Sequence, residues 1–425
     1  MNDYKNRIAD HLLEEQLEAT GAVLIQGPKW CGKTTTAAQC ANSAVYMDDP
    51  ARKDIYLKMA ETAPLILFEG AKPRLIDEWQ LAPQLWDAAR FDISQKGDKG
   101  LYIFTGSSVP ADESKITHSG TGRFGKITMR PMSLWESGES NGSVSLASMF
   151  NGEMKAAIAN PLTIEELSFL ICRGGWPGSL TLKPKAALLQ ARNYVDLVAD
   201  SDISRVDGIK RNGQFARRLL KSYARNQGAQ VSVSTIYDDL KAHNDEQTLS
   251  QDTIVSYINA LRKMFVIEDS EAWNPNLRSK SAIRTSDTRY FVDPSIAAAA
   301  LGVGPKDLIA DLNTMGLLFE TLCIRDLRVY ADALDGRVYH YRDKSELECD
   351  AVIHLRNGSY GLVEIKLGGE TLVENGALSL LKLASKIDTD KMKAPSFMMV
   401  ITGVGEYAYR RNDGAYVVPI SALKQ

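Results

Sequence analysis

Short apolar runs alternate with amphipathic stretches through the first third of the chain. Residues 22–25, 44–49 (AVYMDD), 73–79 (PRLIDEW), 101–108 (LYIFTGSS) and 125–133 (GKITMRPMS) have strand character, with helical segments such as 82–96 between them. Strands alternating with helices predict a parallel sheet covered on both faces, an α/β fold.

From about residue 134 the pattern turns helical. The Gly/Ser-rich stretch 135–144 predicts an exposed loop, and 163–173 and 184–204 predict helices. Helices at 213–227, 233–241 and 251–265 precede two apolar runs, 266–273 and 288–293, around a basic loop. Three helices followed by a two-stranded wing form a winged-helix pattern. The last segment opens with an amphipathic helix at 314–331. Strands follow at 338–343, 347–356 and 359–368, then a helix at 373–388 and a strand at 396–403. Asn357-Gly358 marks a hairpin, and residue pairs across it are expected to sum to about 715, setting Asp350 opposite position 365.

Composition narrows the class. The 425 residues carry 50 Lys or Arg against 53 Asp or Glu, so any polyanion-binding surface must be local. Five scattered cysteines without a CxxC pair argue against a zinc site or a disulfide framework. The five histidines show no ligand spacing. The N-terminus reads as a charged amphipathic helix and not as a signal peptide. No apolar stretch reaches the length of a membrane span. The expected location is the cytoplasm, with no membrane partner.

Gly27-Pro28-Lys29-Trp30-Cys31-Gly32-Lys33-Thr34 satisfies GxxxxGK[ST] between a strand and a helix that continues through Thr35. Glycines let backbone N–H groups turn inward around phosphates. Lys33 reaches the β- and γ-phosphates, and the Thr34 hydroxyl ligates Mg²⁺. Asp77 and Glu78 follow an apolar strand. Asp77 suits the metal shell and Glu78 the polarisation of an attacking water. The pairing resembles P-loop ATPases of the AAA+ type (AAA_14-like), whose Walker A and Walker B strands are separated by one strand. That resemblance implies ATP and Mg²⁺ as cofactors. It also implies Ser107 as a polar residue reading the γ-phosphate, and Arg123 as an arginine finger. An Arg123 acting in trans requires a homo-oligomer. Arg173, before Gly174-Gly175-Trp176-Pro177, resembles the lid turn of signal-transducing relatives.

A second constellation lies near the C-terminus. Glu364 and Lys366 are two apart on one strand, and Asp350 sits across the hairpin. Charges inside apolar strands are costly unless used. The spacing D-x13-E-x-K matches the PD-(D/E)XK nuclease pattern, with Cys349 where a proline often stands. It implies metal held by Asp350 and Glu364, with Lys366 orienting water or stabilising the phosphate. Glu320 resembles the fourth acidic residue of the Holliday-junction-resolvase-like branch. The phrases FTGSS, GTGR, RPMSLWESGES, RGGWPG, YFVDPSIA and LLFE…D…VEIK resemble ATPases with a C-terminal DUF4143 region. The implied layout is an ATPase core at 1–135, a helical lid and linker at 136–204, a winged-helix-like domain at 205–295 and a restriction-endonuclease-like α/β domain at 296–425.

Residues 205–290 hold 14 Lys or Arg and 10 Asp or Glu, a local charge of +4. Arg217, Arg218, Lys221 and Arg225 cluster on one helix, and Arg278 and Lys280 on the wing-like loop, which makes DNA the expected partner. The leading reading is an ATPase coupled to a DNA-directed nuclease-like module. The alternative is a nucleotide-gated switch whose inactive nuclease-like domain docks protein partners. A small-molecule kinase is disfavoured, since no acceptor-binding segment follows the P-loop.

Overall fold

The structure is a computed structural model that describes residues 4–242, 250–274 and 286–425. The chain divides into two compact units. One comprises Met1–Pro131, Asp200–Asn212 and Asn259–Val266, and the other Met132–Ala199, Gly213–Ile258 and Ile267–Gln425.

In the first unit, helix α1 (Ile8–Ala19) leads into strand β1 (Ala22–Gln26) and helix α2 (Lys33–Cys40). Strand β2 (Ser43–Tyr46), helix α3 (Lys53–Thr62), strand β3 (Arg74–Asp77), helix α4 (Leu85–Lys96), strand β4 (Tyr102–Gly106) and strand β5 (Phe124–Thr128) follow. The five strands form one sheet in the order β2-β3-β4-β1-β5, and every pairing is parallel. The expected strands are all present, and all but β1, which gains Gln26, are shorter. Chain beyond Tyr46 and Thr128 leaves the sheet. Alternate residues of each strand feed different cores. Val23 and Ile25 join the α1 and α2 side, whereas Ala22 and Leu24 join an aromatic cluster with Trp79, Trp86 and Phe104. Trp86 stacks on Phe124 with ring centroids 3.7 Å apart.

The second unit holds helix α5 (Ile164–Arg173), helix α6 (Gly213–Arg225), the buried helix α7 (Leu312–Ala333) and a seven-stranded sheet. Its strands are β6 (Ala157–Ile158), β7 (Gly336–Arg342), β8 (Glu348–Leu355), β9 (Tyr360–Lys366), β10 (Phe397–Thr402), β11 (Tyr407–Arg410) and β12 (Tyr416–Pro419). The order is β6-β11-β12-β10-β9-β8-β7, and the sheet is mixed. Helix α8 (Glu370–Lys386) connects the parallel pair β9 and β10. Its Val373, Ala377, Leu380 and Leu383 pack with Val352, Leu362, Val400 and Val417.

Several expectations are corrected. Strands β6, β11 and β12 extend a sheet that the apolar pattern ends at 403. Helix α7 is not amphipathic along its length. From Leu318 to Ala331 it is buried on nearly all sides, Glu320 being the exception, and its charged residues are satisfied internally. Among the described residues the two wing runs make isolated antiparallel bridges, Ile267 with Phe291 and Ser270 with Thr288, and no regular ladder. The hairpin register is one residue off. Tyr360 faces His354 and Val363 faces Ala351, so pairs sum to 714. The reason is the turn: Leu355 N donates to Ser359 O, enclosing three residues instead of two, and Gly358 takes the left-handed φ of 82°.

The charges on α7 organise the turns around it. Arg325 pairs with Asp293 at 2.9 Å and Asp326 at 2.7 Å, and all three side chains are essentially without solvent contact. Asp293 accepts from Gly175 N at 3.0 Å and Ser295 N at 3.0 Å, and Asp326 from Leu134 N at 2.9 Å. Removing one partner strands a buried charge. Asp293→Ala is therefore expected to destabilise the second unit by about 3–5 kcal/mol, measured as an earlier urea transition at unchanged slope.

Candidate nucleotide site and carboxylate cluster

The first site is built on the carboxyl edge of the parallel sheet. Strand β1 ends at Gln26, and the loop 27–32 turns into α2. A Cβ on Gly27 would lie 2.0 Å from Met129 O, so only glycine lets the loop pass β5. Gly32 takes φ 101° just before Lys33 opens the helix. Arg7 ties the loop down from α1's N-terminus, donating to Cys31 O and to Arg130 O, each at 2.8 Å. Lys33 Nζ folds back onto Pro28 O at 2.7 Å, 4.0 Å from Cys31 Sγ. Lys29 pairs with Asp202 at 2.8 Å, Trp30 is 50% exposed, and Thr35 is exposed.

Thr34 Oγ1 donates to Asp77 Oδ1 at 2.8 Å, and Thr105 Oγ1 donates to the same oxygen. Burial raises the Asp77 pKa, and these two hydroxyls only partly offset it. Glu78 adopts the left-handed conformation (φ 52°), uncommon for a residue with a side chain. Its Oε2 accepts from Ser107 Oγ at 3.0 Å and from Gln80 Nε2. So Lys33, Thr34, Asp77, Glu78 and Ser107 come together around one edge. Arg123 does not join them. Its carbonyl accepts from Ala22 N at the opposite end of β1, and its guanidinium rests on Ser94 Oγ at 2.6 Å. Five strand residues, on the order of 16 Å, separate it from its own P-loop. In the second unit Arg173 is engaged by Glu139 at 2.6 Å.

The second constellation also assembles, and the corrected register is what permits it. Continuing the 714 pairing sets Asp350 opposite Glu364, on the same face as Lys366. Lys366 Nζ lies 2.6 Å from Glu364 Oε2 and 3.2 Å from Asp350 Oδ2, which also accepts Ile365 N at 2.7 Å. Glu320 accepts a hydrogen bond from Tyr290 OH. Desolvation, and then the Asp350 charge, push the Glu320 and Glu364 carboxyls up to about 8. Burial pulls Lys366 down, but Asp350 and Glu364 outweigh it and raise its pKa. Among the described residues no group of three or more His, Cys, Asp or Glu side chains is placed to hold a metal ion. Asp350 and Glu364 offer hard oxygen donors, currently satisfied by the Lys366 ammonium.

On α6, Arg217 pairs with Asp196 at 3.2 Å and Arg225 with Asp239 at 2.5 Å. Arg218 lies over the Phe215 ring, 5.8 Å from its centroid, and Lys221 is exposed. Arg278 and Lys280 lie outside the described residues. Sequence reasoning missed Arg7, Thr105, Gln80 and Tyr290. No motif spacing marks them, and only the fold brings them to the sites.

The strand order and the loop it carries place the first unit in the class of P-loop ATPases. Within that class residues 19–138 match the AAA domain family (AAA_14). Residues 315–423 match a domain of unknown function, DUF4143, and 164–307 match another, DUF8612. The chain thus carries an AAA-type ATPase domain followed, at its C-terminal end, by DUF4143, as the motifs imply. The middle match is new, and its residues overlap the segment that the sequence pattern reads as a winged helix. Among solved structures, the Aeropyrum pernix ORC2 protein (ADPNP-ADP complexes) is 11% identical with a TM-score of 0.32, covering 73% of this chain and 96% of that one. The Aeropyrum pernix ORC1 protein in complex with DNA is 12% identical with a TM-score of 0.25, covering 73% and 95%. Likenesses this loose support nothing about what this chain binds. No curated protein matches it. Among the described residues no helix is long and apolar enough to cross a membrane.

The raised carboxyls fix a pH signature. A carboxyl that binds its proton more tightly in the folded state costs stability as pH rises from the ordinary carboxyl value through about 8. Glu320→Gln should match the parent below about pH 4.5, exceed it increasingly up to about pH 8 and keep a constant lead above that, read as the difference in Tm.

Proposed function

We propose that this chain binds and hydrolyses ATP in its AAA domain and uses the nucleotide cycle to control a DNA-directed, metal-dependent phosphodiesterase in its C-terminal unit. The observation that carries the ATPase half is the 2.8 Å contact between Thr34 and Asp77. A hydroxyl at the start of a helix and a buried carboxylate at the end of β3, one strand removed from β1, form a hard oxygen donor pair suited to Mg²⁺. A divalent cation bound there neutralises charge developing on the transferred phosphoryl group. Backbone N–H groups of the loop 27–32 cradle the phosphates. Lys33 exchanges the Pro28 carbonyl for a phosphate oxygen. Glu78 orients the attacking water, and Ser107, now on Glu78 Oε2, senses the γ-phosphate. Arg123 faces away from its own P-loop, so it acts on a neighbouring copy, in a homo-oligomer.

The Asp350–Lys366–Glu364 triad supports the second half. Asp350 and Glu364 would hold a divalent cation, Lys366 would stabilise the phosphate, and Glu320, hydrogen-bonded to Tyr290, would stand by as a further acid. The exposed Lys221 and the neighbouring arginines of α6 offer backbone phosphate contacts. A specific observation favours the rival reading of an inactive docking domain. Lys366 already neutralises both carboxylates, and Arg217 and Arg225 are paired, although surface pairs of that kind are weak.

Two measurements decide. ATP turnover should fall about 100-fold or more in Lys33→Ala and in Glu78→Gln, with nucleotide binding retained in Glu78→Gln. Nicking of supercoiled DNA with Mg²⁺ or Mn²⁺ should disappear in Glu364→Ala and depend on Lys33. Intact ATP hydrolysis with no cleavage under any condition favours the docking reading.

A further inference from the structure

Gln80 folds back onto the carboxylate two residues before it. Glu78 reverses the chain at φ 52°, and a single tight turn, Trp79–Leu81, follows with Leu81 N on Glu78 O at 3.1 Å. Trp79 anchors that turn in the aromatic core, edge-on to Phe104 with ring centroids 6.1 Å apart. The turn returns Gln80 to the end of β4. A Cβ on Gly106 would crowd Gln80 Oε1 at 3.0 Å, so the amide has its seat because that position is bare.

The amide is satisfied at one end only. Its Nε2 donates to Glu78 Oε2 and reaches Ser107 Oγ at 3.4 Å, and Ser107 Oγ donates to the same Oε2 at 3.0 Å. Gln80 Oε1 is buried and accepts no hydrogen bond among the described residues. Turning the amide over would set its oxygen against the carboxylate, which only accepts. A buried acceptor without a donor is costly, and the charge-assisted hydrogen bond at the other end offsets it. The side chain gives up its oxygen to keep its nitrogen on Glu78.

Both donors converge on one carboxylate oxygen. Glu78 Oε1 has no hydrogen-bond partner among the described residues. One oxygen is held, and the other keeps its lone pairs for a water. In the reading above Ser107 turns to the γ-phosphate, and Gln80 is then the donor that stays on Oε2.

We propose that Gln80 is a positioning residue for Glu78, holding Oε2 so that Oε1 accepts the proton of the attacking water. The water oxygen bonds to the γ-phosphorus, the bond from phosphorus to the bridging oxygen breaks, and ADP keeps the electron pair. The proton passes to Oε1 and from there to solvent. This role rests on the ATPase reading.

The test compares the full chain with Gln80→Met, which keeps the length, and Gln80→Glu, which keeps the shape, since both remove the donor. In each, kcat should fall about tenfold or more, with KM for ATP and the affinity for ADP within about twofold of the parent. The same substitutions are then made in Glu78→Gln and followed as single turnovers with enzyme in excess. There they should cost less than about twofold, because no carboxylate is left to position. Equal losses in both backgrounds, loss of ADP affinity in both variants, or kcat unchanged in both overturns the role. A parent without any turnover overturns the ATPase reading, and this role falls with it.

Discussion

Arg325 has no water to solvate it, and the second unit depends on how that charge is answered. Its guanidinium lies between Asp293 and Asp326, and each carboxylate spends its remaining lone pairs on main-chain N–H groups of distant segments. Asp293 holds the RGGW turn and starts the helix after it, and Asp326 holds the turn at Leu134. Such a triad contributes little net stability compared with apolar packing. What it supplies is position, because three turns must converge for the charges to be satisfied. The same demand selects the glycines. A Cβ at Gly175 would meet Met132 O at 2.1 Å, and one at Gly174 would meet Asp293 Oδ1 at 2.3 Å.

The first unit follows the same rule on a different scaffold. Three charges at the nucleotide edge, Lys33, Asp77 and Glu78, are each held by neutral partners that can let go. Lys33 rests on a carbonyl, Asp77 on two hydroxyls, and Glu78 on Ser107 and Gln80. None of these three charged groups is locked in a direct ion pair with another. A phosphate or a cation can replace such partners without breaking a salt bridge. The C-terminal cluster is built the other way, since Lys366 is already paired to both carboxylates. Loading that site therefore requires breaking charge–charge contacts, and this is the physical difference between the two halves of the proposed activity.

Legibility tracked how local each feature is. The loop from Gly27 to Thr34 was readable because its chemistry needs consecutive main-chain groups. The five strands of the parallel sheet were readable because each is built around buried apolar residues, such as Val23, Leu24 and Ile25 in β1, Leu75 and Ile76 in β3 and Ile103 and Phe104 in β4. Strands β11 and β12 were not, because Tyr407–Arg410 mixes two tyrosines with a terminal arginine and shows no clean alternation. Tyr290 was invisible for another reason: it is 30 residues from Glu320, and only the packing of its segment on α7 brings its hydroxyl to that carboxylate. The partners of Arg217 and Arg225 are likewise set by which helices meet.

The hairpin before Glu364 carries the most consequence per residue. A two-residue turn at Asn357-Gly358 would give odd-sum pairs and place Asp350 beside Ile365, on the face opposite Glu364 and Lys366. The observed turn includes Arg356, uses Gly358 at positive φ, and moves the register by one. That single step brings Asp350 to the side of the sheet where Glu364 and Lys366 already point. The cluster is thus encoded twice, by the D-x13-E-x-K spacing and by a glycine six residues before Glu364. The spacing alone is compatible with either face, and the glycine turn decides between them.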